Sequence, residues 1–225
     1  MNLPQPGDYI DIHNHDAEPA EGVFTVDNIT AGGEKMPADT PRLTYSIGIH
    51  PWHLTAEDFP HQLRQVEEYS NHTNVMALGE AGFDRIKGPG MELQREAFIK
   101  QVSLSEKSGK PLYIHCVRAW DELLHARKEL KPRMPWIVHG FRGRRELAAQ
   151  LISAGMYLSF WFSYVKKPEA GVLLRSLPAV RIFLETDGGN TSIAEIYRNA
   201  AGHLGITEEQ LKMQIYSNFF SLISH

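Results

Sequence analysis

The sequence predicts a parallel α/β fold in which strands alternate with helices and close into one barrel. Three observations predict it: short apolar runs recur along the chain, helix-patterned segments separate them, and no composition break divides the chain. Apolar runs of this length, rich in β-branched and aromatic side chains, read as strands buried on both faces. Strand and helix in alternation is the pattern of a parallel sheet. The 225 residues suit a single domain, 1–225, and six or seven units without a break favour a closed barrel over two domains.

The first strand is DYIDIH (8–13). Residues 16–41 then break the alternation. They are rich in Gly, Pro and Asp, and GVFTV (22–26) is a weak strand candidate within an expected loop. RLTYSIGIH (42–50) is the next strand, followed by a helix over 59–70 with Phe59, Leu63, Val66 and Tyr69 at helical spacing. NVMALGE (74–80) precedes a helix over 91–107 carrying Leu93, Ala97, Phe98 and Val102. KPLYIHC (110–116), PWIVHG (135–140), GMYLSF (155–160) and VRIFLETD (180–187) complete the strands, with helices over 120–130 and 144–154 between them. The last helix opens with Thr207-Glu208-Glu209-Gln210, a capping-box pattern, and continues through Leu211, Ile215 and Phe219.

Composition excludes several classes. The chain is 42% hydrophobic and 22% charged, with a formal net charge of −4. A protein that holds duplex DNA by counterion release is usually basic overall, so any nucleic acid must be gripped locally. One cysteine, Cys116, excludes a disulfide framework and reads as core rather than nucleophile. No secretory leader is legible at the N-terminus, and no apolar run approaches the roughly 20 residues of a membrane span. The expected location is cytoplasmic, with no membrane association and no obligate protein partner. A GxGxxG after the first strand is absent, which weighs against a dinucleotide fold.

Chemistry-bearing residues gather at the ends of these strands. His13 and His15 end the first, Glu80 ends VMALG, His115 ends PLYI, His139 ends WIV and Asp187 ends IFLET. In parallel barrels the C-terminal strand ends form the face where sites are built. A lone HxH among 11 histidines is weak evidence; six candidate ligands all at strand ends are not. Residues i and i+2 of a strand share a face, so His13 and His15 address one target, about 6–7 Å apart along the chain. Imidazoles and carboxylates suit a zinc-like or manganese-like ion. Six ligands exceed one tetrahedral ion and suit two ions sharing a carboxylate, about 3.5–4 Å apart.

The motifs DIHNH (11–15), SIGIHPWH (46–53), ALGEAGFD (77–84), PLYIHC (111–116), IVHGFRG (137–143) and LETD (184–187), with Gln94 and Phe98 between them, resemble the TatD family of metal-dependent hydrolases. The resemblance covers nearly the whole chain in the family's order. It implies a TIM-type (β/α) barrel, distorted or with one βα unit trimmed, and divalent-metal-dependent hydrolysis of phosphodiesters, in the manner of a 3′→5′ deoxyribonuclease. It implies that His13, His15 and Asp187 hold one ion, His115 and His139 a second, and that Glu80 bridges them. The ions could be Zn, Mn, Ni or Co, with Mg less natural beside four imidazoles. The resemblance makes Asp187 and Glu80 the expected catalytic carboxylates. His50 is expected at the scissile phosphate, Arg142 as a phosphate clamp, and Trp52 either stacks on a base or packs over its loop.

Three departures from the family pattern qualify the substrate. The segment 16–41 is short, so the expectation is seven good strands with an open seam. Where the family reads His-Ser-Arg-Asp-Ala, this chain has His115-Cys116-Val117-Arg118-Ala119, and strand alternation would turn Arg118 away from the phosphate. Asp187 is followed by Gly188-Gly189-Asn190 in place of Ala-Pro. The expected partner is single-stranded DNA or a DNA end. The alternative is a small phosphoester, ester or amide on the same metals, and a non-catalytic binding barrel is a third reading that the intact ligand set opposes.

Overall fold

A computed structural model describes residues 2–224. Eight parallel strands form one sheet in sequential order: β1 (Tyr9–Asn14), β2 (Val23–Thr30), β3 (Leu43–Gly48), β4 (Val75–Asp84), β5 (Leu112–Val117), β6 (Trp136–Val138), β7 (Tyr157–Trp161) and β8 (Ile182–Glu185). The sheet curls into a nearly closed barrel. Ladders join each strand to the next, and among the described residues none joins β8 to β1. There the Asp187 N–H donates to the His13 carbonyl at 3.1 Å, and the Thr186 N–H donates to Asp11 Oδ1 at 2.9 Å. A side chain thus substitutes for the missing ladder at the seam.

The strand count corrects the expectation of seven. β2 is a full strand of eight residues, paired with β1 and β3. What the short segment lacks is helix: none lies between β1 and β2 or between β2 and β3. The seam falls between β8 and β1, not at β2.

From β3 onward helices follow the strands: α1 (Phe59–Tyr69), α2 (Met91–Ser108), α3 (Trp120–Leu130), α4 (Arg145–Ser153), the short α5 (Phe162–Val165), α6 (Pro168–Ser176), α7 (Ile193–Leu204) and α8 (Glu208–Ile223). α6 and α7 were not legible in the apolar pattern. α2 stops at Gly109, whose φ of 66° is the left-handed conformation a helix end commonly needs. α8 opens with the predicted capping box: Thr207 accepts from the Gln210 N–H, and Gln210 accepts from the Thr207 N–H. Its buried Phe219 lies edge-on to Phe24 of β2, with ring centroids 5.3 Å apart. α8 therefore helps cover the wall where crossover helices are missing. No helix among the described residues is long and apolar enough to cross a membrane.

Candidate metal centre at the C-terminal rim

The rim is built around Glu80, and its position departs from the sequence reading. Glu80 does not end a strand. β4 runs on to Asp84, and its register against β5 shifts between Leu78 and Ala81. Two glycines allow the close approach. A Cβ on Gly79 would meet the Tyr113 carbonyl at 2.4 Å, and one on Gly82 would meet the His115 carbonyl at 1.9 Å. Both adopt positive φ, 106° and 154°. The irregularity turns the Glu80 carboxylate, 3% exposed, into the barrel mouth.

The two oxygens of Glu80 face different imidazoles. Oε1 lies 3.4 Å from His13 Nε2 and 3.2 Å from His15 Nε2. Oε2 lies 2.6 Å from His139 Nε2 and 3.6 Å from both His115 Nδ1 and His50 Nε2. Asp187 Oδ1 closes the first group, 3.7 Å from His13 Nε2 and 3.6 Å from His15 Nε2. All six residues singled out as ligands converge, and so does His50.

The residues fit divalent cations. Groups of three side chains place ligand atoms within 4.8 Å of one another: His13, His15 and Asp187; His13, Glu80 and His139; His50, Glu80 and His115; His139, Glu185 and Asp187. His13 is fully buried, and neither ring nitrogen has a hydrogen-bond partner among the described residues. A buried imidazole left that way is costly unless an ion takes one nitrogen.

Hydrogen bonds fix which nitrogen of each ring can bind. His115 Nε2 lies 3.2 Å from Asp84 Oδ2, which turns Nδ1 into the cluster, 3.2 Å from His50 Nε2, 3.3 Å from His139 Nε2 and 3.6 Å from Glu80 Oε2. Asp84 is itself held by the Trp52 indole N–H at 2.6 Å and by the Ile86 and Lys87 amides at 2.7 and 2.9 Å. Burial opposes its ionisation, but these donors keep its carboxyl below the usual range. His139 turns Nε2 to the site and Nδ1 toward Glu185 Oε1, 3.6 Å away, an ion-pair rather than hydrogen-bond distance. Glu185 is fully buried and accepts from the Gly140 N–H at 2.6 Å. Such carboxylate–imidazole pairs orient metal-binding histidines.

His50 is the exception. Its Nδ1 accepts from the Trp52 N–H at 3.0 Å, so the neutral ring carries its proton on Nε2, the nitrogen that faces the site. Burial pushes its pKa down to about 3. His50 is thus a neutral donor aimed into the cluster, a poor metal ligand and a good partner for an anionic oxygen.

Above this floor lies a cavity of about 750 Å³ whose lining includes Trp52, Arg118, Trp120, Arg142 and Trp161. Trp52 is 43% exposed, with Lys87 Nζ 3.9 Å above its ring. Arg118 corrects the sequence reading: β5 ends at Val117, Arg118 adopts φ 52°, and strand alternation no longer governs its direction. It lines the same cavity as Arg142. Cys116 is buried, which pushes its thiol pKa up, away from nucleophilic use. Asp84, Glu185 and Trp161 were missed from sequence. Alternation held the signal for Glu185, which stands two residues before Asp187 as His13 does before His15.

Fold and site together define a class: a (β/α) barrel carrying a histidine–carboxylate centre, of the kind that binds divalent metal, at the C-terminal rim. The chain belongs to the TatD-related DNase family, whose sequence profile matches residues 34–224. His13 and His15 precede that match. Among curated relatives it is 32% identical over 152 residues to the uncharacterized metal-dependent hydrolase YabD of Bacillus subtilis, covering 63% of this chain and 57% of that one. It is 29% identical over 150 residues to the 3′-5′ ssDNA/RNA exonuclease TatD of Pantoea ananatis, covering 63% of this chain and 56% of that one. The aligned part thus spans little more than half of either relative. The crystal structure of YjjV, a TatD homologue from Escherichia coli K12, superposes with a TM-score of 0.81 at 20% identity, covering 98% of this chain and all of that one.

Proposed function

We propose that this chain is a divalent-metal-dependent phosphodiesterase that removes nucleotides from the 3′ end of single-stranded DNA. The observation that carries the reading is the split of Glu80, with one oxygen toward the His13–His15 pair and the other toward His115 and His139. On this reading His13, His15 and Asp187 would hold one ion and His115 and His139 a second, with Glu80 offering one carboxylate oxygen to each group. Mixed imidazole and carboxylate donors suit Zn, Mn, Ni or Co better than Mg. Such ions, when bound, activate water near neutral pH and offset the charge that builds on phosphoryl oxygens.

The protein's own groups do the rest. Asp187, raised in pKa by burial and by the nearby Glu185, orients the attacking water and takes its proton. His50 donates its Nε2 proton as a hydrogen bond to a phosphoryl oxygen, and Arg142 supplies a guanidinium to the substrate's phosphate. The family and the exonuclease name of the Pantoea relative support nucleic acid as the substrate class.

The test pairs metal content by plasma mass spectrometry with digestion of a 5′-labelled single-stranded oligonucleotide in Mn or Mg. Bound metal and a ladder shortening from the 3′ end is the expected result. Bound metal with an intact oligonucleotide would overturn the nuclease reading and leave a hydrolase of small esters.

A further inference from the structure

One imidazole in the cavity has no place in the metal centre. A single turn of 3₁₀ helix, Pro51–His53, follows β3 and carries His53 at its last position. His53 is exposed and lines the cavity. Its main chain is pinned on both sides. The N–H donates to the His50 carbonyl at 3.0 Å, and the carbonyl accepts from Gln62 Nε2 of α1 at 2.9 Å. Gln62 is 3% exposed and also donates to the Ala31 carbonyl at 3.3 Å, so α1 fixes the turn to the end of β2. The stem is held while the ring stands in solvent at the cavity wall.

Hydrolysis of a phosphodiester moves two protons, one off the attacking water and one onto the leaving oxygen. An alkoxide departs faster when a positioned acid protonates it as the bond breaks, and imidazole serves most often. The cavity lining offers few such donors. Five of the six proposed ligands line it and are turned to the cluster. Burial pushes the Cys116 thiol up, which makes it too weak an acid. Arg118 and Arg142 carry guanidiniums, which do not release a proton in proteins. His50 accepts the Trp52 N–H on Nδ1 and turns Nε2 to a phosphoryl oxygen, so it holds no second proton. Among the described residues that line the cavity, His53 is left. Its ring centroid lies 5.8 Å from that of His50, with the planes inclined by 56°. Rings at that spacing can hold two oxygens of one phosphate, each within the reach of about 2.6–3.2 Å that proton transfer needs.

We propose that His53 is the general acid that protonates the leaving 3′ oxygen. The inference rests on the phosphodiesterase reading above. The water oxygen bonds to phosphorus, and its proton passes to Asp187. The P–O3′ bond breaks, and its electron pair stays on O3′. The His53 imidazolium gives that oxygen a proton and becomes neutral, and solvent restores the proton to the exposed ring. Asp187 follows β8 and His53 follows β3, three strands apart around an eight-stranded barrel. Base and acid thus face each other across the mouth, as an in-line displacement requires.

The experiment compares wild type with H53Q on two oligothymidylates, one ordinary and one with sulfur in place of the 3′ bridging oxygen at the terminal linkage. A thiolate leaves without a proton, because thiols ionise at about pH 8.5, far below alcohols. On the ordinary substrate H53Q is expected to lose about 100- to 10,000-fold in kcat, with KM within about threefold of wild type. On the sulfur-bridged substrate its kcat should stay within about threefold of wild type. Two readouts need no turnover. Metal content by plasma mass spectrometry should equal that of wild type, because His53 is not a ligand. Affinity for an oligothymidylate made uncleavable by methylphosphonate at the terminal linkage should also be kept. Equal losses on both substrates would make His53 a binding residue and overturn the acid assignment, and a fall in metal content would overturn it too. A wild type that shortens neither oligonucleotide would overturn the nuclease reading and the acid with it. A wild type that shortens both, with H53Q unaffected, would overturn the acid alone.

Discussion

The two halves of the metal centre are held in different ways. On the β5–β6 side each imidazole has its own carboxylate, Asp84 behind His115 and Glu185 behind His139. On the β1–β8 side, among the described residues, no carboxylate stands behind His13, and the His15 side chain is 39% exposed. That half is set by the barrel seam instead, through one side chain and one main-chain bond. Asp11 ties the Thr186 amide and hydroxyl, and the His13 carbonyl takes the Asp187 N–H. The first half is preorganised by side-chain charge. The second is preorganised by the barrel seam and leaves nitrogens that only a ligand can satisfy. Removing the shared residue, removing the backing of one half, and titrating that half are three ways to test the contrast.

Glu80→Ala breaks both halves at once and carries the largest expected effect. It leaves the imidazoles on either side of the carboxylate without their common partner. Activity should fall well beyond the 10- to 100-fold typical of outer-shell changes, and metal content should drop. The far-ultraviolet circular dichroism should remain that of wild type, because the barrel core does not depend on this side chain. Full activity in the variant would sink the bridging assignment.

Glu185→Gln loosens only the β5–β6 half. Glu185 is fully buried and takes the Gly140 N–H, so its replacement disturbs both His139 and the loop that follows it. A loss of about 10- to 100-fold in metal affinity is expected, confined to one of two ions in a chelator titration. Asp84→Asn should cost that same ion a comparable amount. Oδ2 faces the Trp52 indole N–H and His115 Nε2, while Oδ1 accepts from the Ile86 and Lys87 amides. An amide keeps only one acceptor oxygen, so its NH2 meets donors on the other side. Equal losses of both ions in Glu185→Gln would show that the halves are not independent.

The same contrast explains what was legible beforehand. Most strands were readable because their apolar runs are buried on both faces, as all six residues of β3 and all ten of β4 are. β2 was underread because its second half is polar yet buried. Asn28 donates to Ser46 Oγ and to the Gly79 carbonyl, both at 2.9 Å, and Asp27 pairs with Lys35 at 2.7 Å. A search for apolar runs stops at Val26, because the partners that make those polar residues affordable lie on other segments. Asp84 and Glu185 escaped for a related reason: their partners His115 and His139 are about 30 and 46 residues away in sequence, so their backing role exists only in the fold. Arg118 was misdirected by one backbone angle, φ 52°, which no alternation rule contains.

The smallest expected effect is a proton count. Burial works against charge on His139, but Glu80 and Glu185 outweigh it and hold its pKa well above the ordinary imidazole value in the metal-free protein. Folding therefore favours the protonated ring. Its contribution to metal-free stability is full below about pH 6.5 and is lost as pH rises through the raised value. A metal needs the same nitrogen without its proton, so binding must expel it. Affinity should keep rising with pH beyond 7, by up to about tenfold per unit, while metal-free stability from this pair declines. Calorimetric titration of zinc in buffers of different ionisation enthalpy measures the release directly. In Glu185→Gln one of the two carboxylates that hold the proton is gone, so fewer protons should be expelled near pH 7. An unchanged proton count would show that Glu80 alone sets the charge of His139 and that the second carboxylate serves position only.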